Sequence, residues 1–171
     1  DLQGLSQVAP SQGSFIFNIK ISDVGSLANW DAWNMSLTMT GGTNAVFDSY
    51  TNVSSNADYV FFGDSFDYQW SLTNFTATGG DATASGNGVV PEVGDLIATI
   101  RIDVSNALAG ELYTISLLPA DQNFVFDPDF NFEDLTQFGN DYSFQIVPIP
   151  GAALLLGSGL LGLLGIRRKM R

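Results

Sequence analysis

Nucleophile-and-base catalysis needs side chains that this chain lacks. Its 171 residues include no histidine and no cysteine, which closes Ser-His-Asp and Cys-His chemistry and removes imidazole and thiolate as zinc ligands. Ser65, in Gly63-Asp64-Ser65, has no base to activate it and reads as part of a turn. Carboxylates remain the only candidate acid-base groups, and in a chain with 18 of them pairs arise by chance, so the expectation is a non-enzyme. The densest run, DPDFNFED at 127–134, sets Asp127, Asp129, Asn131, Glu133 and Asp134 in an order that opens like a D-x-D-x-N calcium loop. It departs from an EF-hand where Phe132 replaces the turn glycine and Phe138 replaces the bidentate glutamate. The run therefore reads as a solvated acidic loop interleaved with packing Phe124, Phe126, Phe130 and Phe132. The alternative is a looser calcium site built from these carboxylates and backbone carbonyls; no other cofactor is implied. The rings of Trp30, Trp33, Tyr59, Tyr68 and Trp70 offer faces on which sugars stack, although in an all-β domain most such rings are core.

The C-terminal 25 residues, VPIPGAALLLGSGLLGLLGIRRKMR, fall into three parts. Val147, Pro148, Ile149 and Pro150 form a short extended motif, because proline lacks a backbone donor and pushes its predecessor out of the helical region. Residues 149–166 are uncharged, and at about 1.5 Å per residue they span roughly 27 Å, enough for a thin hydrocarbon core. Gly151, Gly157, Gly159, Gly162 and Gly165 make this a poor soluble helix, each costing about 1 kcal/mol relative to alanine. Ser158 and Gly162 have the small-xxx-small spacing that packs one membrane helix on another. Arg167, Arg168, Lys169 and Arg171 form a stop that stays cytoplasmic, leaving the preceding body on the outer side of the membrane.

This tail resembles the PEP-CTERM sorting signal in its V-P-x-P variant, with Ile149 where the name-giving motif has glutamate. The resemblance implies an exosortase-like membrane enzyme of a Gram-negative bacterium acting at Val147 to Pro150. It further implies export, a stage in the inner membrane with the body on the periplasmic side, and a final place at the cell surface, where biofilm matrix and exopolysaccharide are the expected company. The first residue, Asp1 rather than Met, is read as the trace of a removed leader.

Charge divides the chain in the same place. All 18 acids precede residue 147 against only Lys20 and Arg101, giving the body −16, while the last five residues carry +4. Such a body repels phosphate backbones and anionic lipid, so nucleic acid is not an expected partner.

The body itself reads as strands. SFIFNIKIS (14–22) alternates Phe15, Phe17, Ile19 and Ile21 against Ile16, Asn18 and Lys20, and AWNMSLTMT (32–40) sets Trp33, Met35, Leu37 and Met39 against Asn34, Ser36, Thr38 and Thr40. Further strands are expected at 45–47, 58–62, 67–72, 74–78, 95–104, 110–118, 124–126 and 142–147, with GGDATASGNG (79–88) as a long exposed loop. About eight to ten short strands without an amphipathic helix predict an antiparallel β-sandwich. GDLIATIRIDVSNALAGELYTISLL and WDAWNMSLTM resemble the late strand pair and the early strand of cohesin-like sandwiches, a jelly-roll type of fold. The expected organisation is an N-terminal arm (1–13), an acidic all-β sandwich (14–146) and a tail with one transmembrane helix (147–171). The first functional expectation is a structural component of an extracellular matrix, surface layer or filament, self-assembling through strand edges or the arm. The alternative is a non-catalytic module that binds polysaccharide or a partner protein.

Overall fold

The structure, a computed structural model, describes residues 6–8, 13–119, 122–135 and 141–147. Eleven strands are present among them: β1 (Ser6–Val8), β2 (Ser14–Lys20), β3 (Ala32–Gly41), β4 (Val46–Thr51), β5 (Gln69–Leu72), β6 (Thr76–Ala82), β7 (Leu96–Asp103), β8 (Leu112–Leu117), β9 (Phe124–Phe126), β10 (Phe132–Asp134) and β11 (Tyr142–Ile146). The larger sheet runs β1-β11-β8-β3-β6-β5, with the β9–β10 hairpin joined to it through β3, and the smaller sheet runs β2-β7-β4. Every pairing is antiparallel except β1 on β11. The two sheets close on one another through ring contacts, Phe15 to Phe144 at 5.0 Å and Phe17 to Tyr142 at 5.1 Å. This is the expected all-β sandwich.

The alternations set the faces. Trp33, Met35, Leu37 and Met39 of β3 are buried, as are Leu96, Ala98, Ile100 and Ile102 of β7. Ile97, on the opposite side of the same alternation, is buried as well. The register shifts between Ile19 and Lys20, so Ile97 is the extra residue of a β-bulge, and a bulge re-aims the residue it inserts.

Three expectations are corrected. Residues 58–62 do not form a strand. Successive turns carry them, with Tyr59 N–H donating to Asn56 O at 3.0 Å and Phe62 N–H to Tyr59 O at 2.9 Å; only Tyr59 makes a bridge, to Leu96. The predicted loop from residue 79 begins instead as strand, because β6 continues to Ala82 between β3 and β5. Its glycine is there for packing, since a Cβ at Gly79 would run into the Trp70 ring. Phe130 and Phe132 do not pack beneath an acidic loop: they are 82% and 70% exposed. Pro148, Ile149, Pro150, Ser158, Gly162, Arg167, Arg168, Lys169 and Arg171 lie outside the described residues, and so does the expected transmembrane helix. Among the described residues no helix is long and apolar enough to cross a membrane.

β3 is the spine. β6 pairs with it from Ala32 to Thr38, while β9 and β8 share its other edge, β9 at Ala32–Asn34 and β8 at Leu37–Gly41. At the joint, Ser36 O accepts from Leu118 N–H at 2.9 Å and Ser36 N–H donates to Asn123 Oδ1 at 2.7 Å. Asn123, fully buried, turns its Nδ2 to Leu118 O at 2.6 Å. One amide thus replaces the rung that no strand supplies. Asn123→Ala would strand a donor and an acceptor in the core, and we expect it to cost on the order of 3 kcal/mol, read as a lower urea midpoint with an unchanged slope. A loss below about 0.5 kcal/mol would mean that water or a backbone shift fills the joint.

Candidate binding surface

The acidic run forms the β9–β10 hairpin, and its side chains diverge. Asp127 folds back on its own turn: Oδ1 accepts from Asp129 N–H at 3.0 Å and Asn131 N–H at 2.8 Å, and Oδ2 from Asn131 Nδ2 at 2.8 Å. These bonds, the Asn131 side chain first, hold its carboxyl below the usual range. Glu133 instead reaches the 23–29 segment, where its two oxygens accept from Ser26 N–H at 2.9 and 3.1 Å and from Ser26 Oγ at 3.1 Å. Gly25, at φ +69°, leaves the room this carboxylate needs. Asp134 stands opposite Phe124 in the ladder. Among the described residues no three acidic side chains gather as a metal site.

The rings considered for sugar stacking are all in the core. Trp30, Trp33, Tyr59, Tyr68 and Trp70 are buried, so none offers a face to a ligand. Four of them are organised by hydrogen bonds. Trp33 Nε1 donates to Tyr59 Oη at 3.1 Å, Tyr59 Oη donates to Asp81 Oδ2 at 2.7 Å, and Trp70 Nε1 donates to Tyr68 Oη at 3.1 Å. Asp81 is buried, and among the described residues no cation pairs with it. Ser65 Oγ at 2.5 Å, Asp67 N–H at 2.9 Å and Ala82 N–H at 2.8 Å complete its shell, as a buried carboxylate requires. Ser65 therefore serves the core, and Asp64 beside it caps Ser85 through N–H at 2.9 Å and Oγ at 2.6 Å.

What the sequence did not mark is the outer face of the larger sheet. Cross-strand partners point the same way, so the registers place Ser143, Thr114 and Thr40 in one outward row, Ser116, Thr38 and Thr76 in the next, and Ser36, Thr78 and Ser71 in a third, of which Ser36 is itself covered and buried. Some of these hydroxyls bond each other, Ser36 Oγ to Thr78 Oγ1 and Thr114 Oγ1 with Ser143 Oγ, both at 3.0 Å. No charged residue occupies an outward position of β11, β8, β3, β6 or β5. At one end the rows turn aromatic. Phe124 pairs with Asn34, and Phe132, Phe126, Ala32 and Ala82 fall in line, with the Phe124 and Phe126 rings 4.8 Å apart. Phe130 sits at the hairpin tip beyond them. The alternation of Phe124, Phe126 and Phe132 about the Asp127–Asn131 turn was the signal that could have shown a second hairpin with an aromatic outer side. Such a surface offers hydrogen bonding and apolar contact, the materials of recognition.

No protein-family model matches the chain, and no curated protein matches it. Solved structures do, cohesins among them. The sixth cohesin of scaffoldin B from Acetivibrio cellulolyticus, solved in complex with a dockerin, aligns with TM-score 0.62 and 12% identity over 83% of this chain and 94% of its own. The third cohesin of ScaC in complex with the ScaB dockerin, from the same organism, aligns with TM-score 0.59 and 17% identity over 84% and 94%. The OlpC cohesin–dockerin complex of Clostridium thermocellum aligns with TM-score 0.57 and 10% identity over 85% and 90%. At these identities the likeness is one of fold: the chain is a cohesin-like β-sandwich.

The buried phenols give this core a pH limit. Burial raises Tyr59, with Asp81 adding to it, and also raises Tyr113; burial pushes Tyr68 up to about 12. A folded-state pKa above the unfolded value means stability fully present below about pH 10 and lost as pH rises toward the folded value. Urea midpoints should therefore fall steadily between pH 10 and 12, and Tyr68→Phe should flatten that fall. A midpoint independent of pH across this window would show that the phenols do not ionise on unfolding there.

Proposed function

We propose that this chain is a non-catalytic, exported protein-binding module. It recognises another protein through the outer face of the larger sheet and the β9–β10 hairpin beside it. The observation that carries this reading is the pairing of a face uncharged across β11, β8, β3, β6 and β5, edged by exposed phenylalanines, with a fold whose solved likenesses are held in complexes with dockerins. Of the two sequence expectations, matrix building block and binding module, the fold likeness supports the second. An uncharged face suits recognition because it removes the desolvation of fixed charge that an acidic body would otherwise impose. The absence of histidine and cysteine supports a module without chemistry of its own. Charge placed on the face should destroy recognition: Thr38→Asp with Thr78→Asp is expected to weaken capture of a partner from the bacterium's extracellular fraction at least tenfold without lowering thermal stability. Equal capture by this variant would remove the face from the proposal.

Delivery is assigned to the tail, with Val147 to Pro150 as the sorting motif, Gly151 to Ile166 as the span and Arg167 to Arg171 as the stop. The three-part pattern at 147–171 supports it, and the hydrophobic length fits one membrane crossing. The intact mass of native protein recovered from outside the cells should correspond to a chain ending between residues 147 and 151. A mass that still includes Arg171 would sink the processing and leave a permanent anchor.

A further inference from the structure

The binding-module reading leaves open which residue anchors a partner and what the partner must offer. We infer that Phe130, at the tip of the β9–β10 hairpin, is a preorganised aromatic anchor for an apolar pocket with a basic rim on another protein. This rests on the binding-module reading.

Phe130 is the described non-glycine residue held at positive φ, +62°. A bulky side chain is disfavoured there, and it persists only because the turn is over-determined. Asp127 O accepts from Phe130 N–H at 3.0 Å, Asp127 N–H donates to Asn131 O at 3.0 Å, and the Asp127 carboxylate gathers Asp129 N–H, Asn131 N–H and Asn131 Nδ2. The hairpin is tied down as well, at β10 by Glu133 on Ser26 and at the turn by Pro128, which lies against Gly88. All of this order holds up a ring that is 82% exposed and does nothing for the core. Strain that packing does not explain points to function. A ring already fixed in place binds with less loss of freedom than a mobile one.

The surroundings state the partner. Phe132 and Phe126 continue the apolar surface onto the sheet. Phe66 N–H bonds Ala82 O, which carries a further exposed ring to the far end of the same row. The exposed acids of the neighbouring loops are Asp23, Asp58, Asp67, Glu92 and Asp129, and residues 21–31, 52–67, 83–95 and 127–131 contain no lysine or arginine. Arg101 stands within β7 of the smaller sheet, and Lys20, the last residue of β2 opposite Leu96, is the one cation of the body that adjoins these loops. A second copy would therefore bring more acid to this end, whereas a cationic protein gains from it.

Glycine at position 130 separates anchoring from folding, because it adopts this φ without strain. The test uses the full chain in detergent micelles and, as probe, an 18-residue helical peptide with leucine on one face and lysine on the other. Phe130→Gly should melt at or above the wild-type temperature yet bind the peptide about tenfold or more weakly, the loss typical of an interface anchor. Asp129→Lys should weaken binding as well, and the leucine–glutamate peptide should not bind. A Phe130→Gly chain that binds like wild type overturns the proposal, and so does one that melts several degrees lower, which would make the ring structural. If wild type and Phe130→Gly retain the same extracellular protein equally, the anchor falls while the binding module stands. If neither retains any protein, the binding module falls with it.

Discussion

The larger sheet of this sandwich is placed by β3, and β3 depends on both of its edges being hydrogen-bonded along most of its ten residues. Unpaired backbone in a core is too costly to leave. β6 satisfies one edge. The other is divided between β9 and β8, two strands that arrive in series and leave a gap at Ser36. The Asn123 side chain spans that gap, and this single amide allows the sheet to carry a hairpin on the same edge as β8. Without the break, β8 would run on beside β3 and the Phe124, Phe126 and Phe132 rows would have no strand to stand on.

Charge obeys a similar division of territory. The body holds 18 acids against two cations, yet the five strands β11, β8, β3, β6 and β5 point only neutral side chains outward. Most of the described acids lie outside the strands, where water screens them, and the buried one, Asp81, is held by four donors, with no cation paired to it among the described residues. The protein thus has three electrostatic surfaces: a neutral sheet, acidic loop ends and the smaller sheet that carries Lys20 and Arg101.

Much of this was legible in the residues, for physical reasons that differ by element. Period-two alternation placed β2, β3, β7 and β8 because each has one face in the core, and the same alternation correctly buried Trp33 and Met35. It failed at residues 58–62, where Tyr59 and Phe61 are buried from turns rather than from a strand; burial alone mimics a strand when the aromatic content is high. It failed again at Gly79-Gly80, since glycine usually marks a loop and here makes room for the Trp70 ring and the Trp33 carbonyl. The acidic hairpin was found as a motif but misjudged, because composition does not reveal that Asp127 spends its lone pairs on its own turn while Phe130 and Phe132 face solvent. The neutral face was invisible for a simpler reason: it exists only across strands that are far apart in the chain.

The parallel pairing of β1 with β11 has a mechanical meaning. The hairpin lies where β3 begins, and Val147 leaves from the other end, beside Glu111 and Gly110. Tension between a partner at the hairpin and whatever continues from Val147 would run lengthwise through the sheet. β11 would take that load held on both flanks, by β8 through Leu112 to Ile115 and by β1 through Ser6 to Val8. Ladders pulled along their length share force among all their rungs, whereas ladders pulled across it open one rung at a time. The short first strand adds three paired residues to the four that join β11 to β8, in the strand through which a tethered molecule would be pulled.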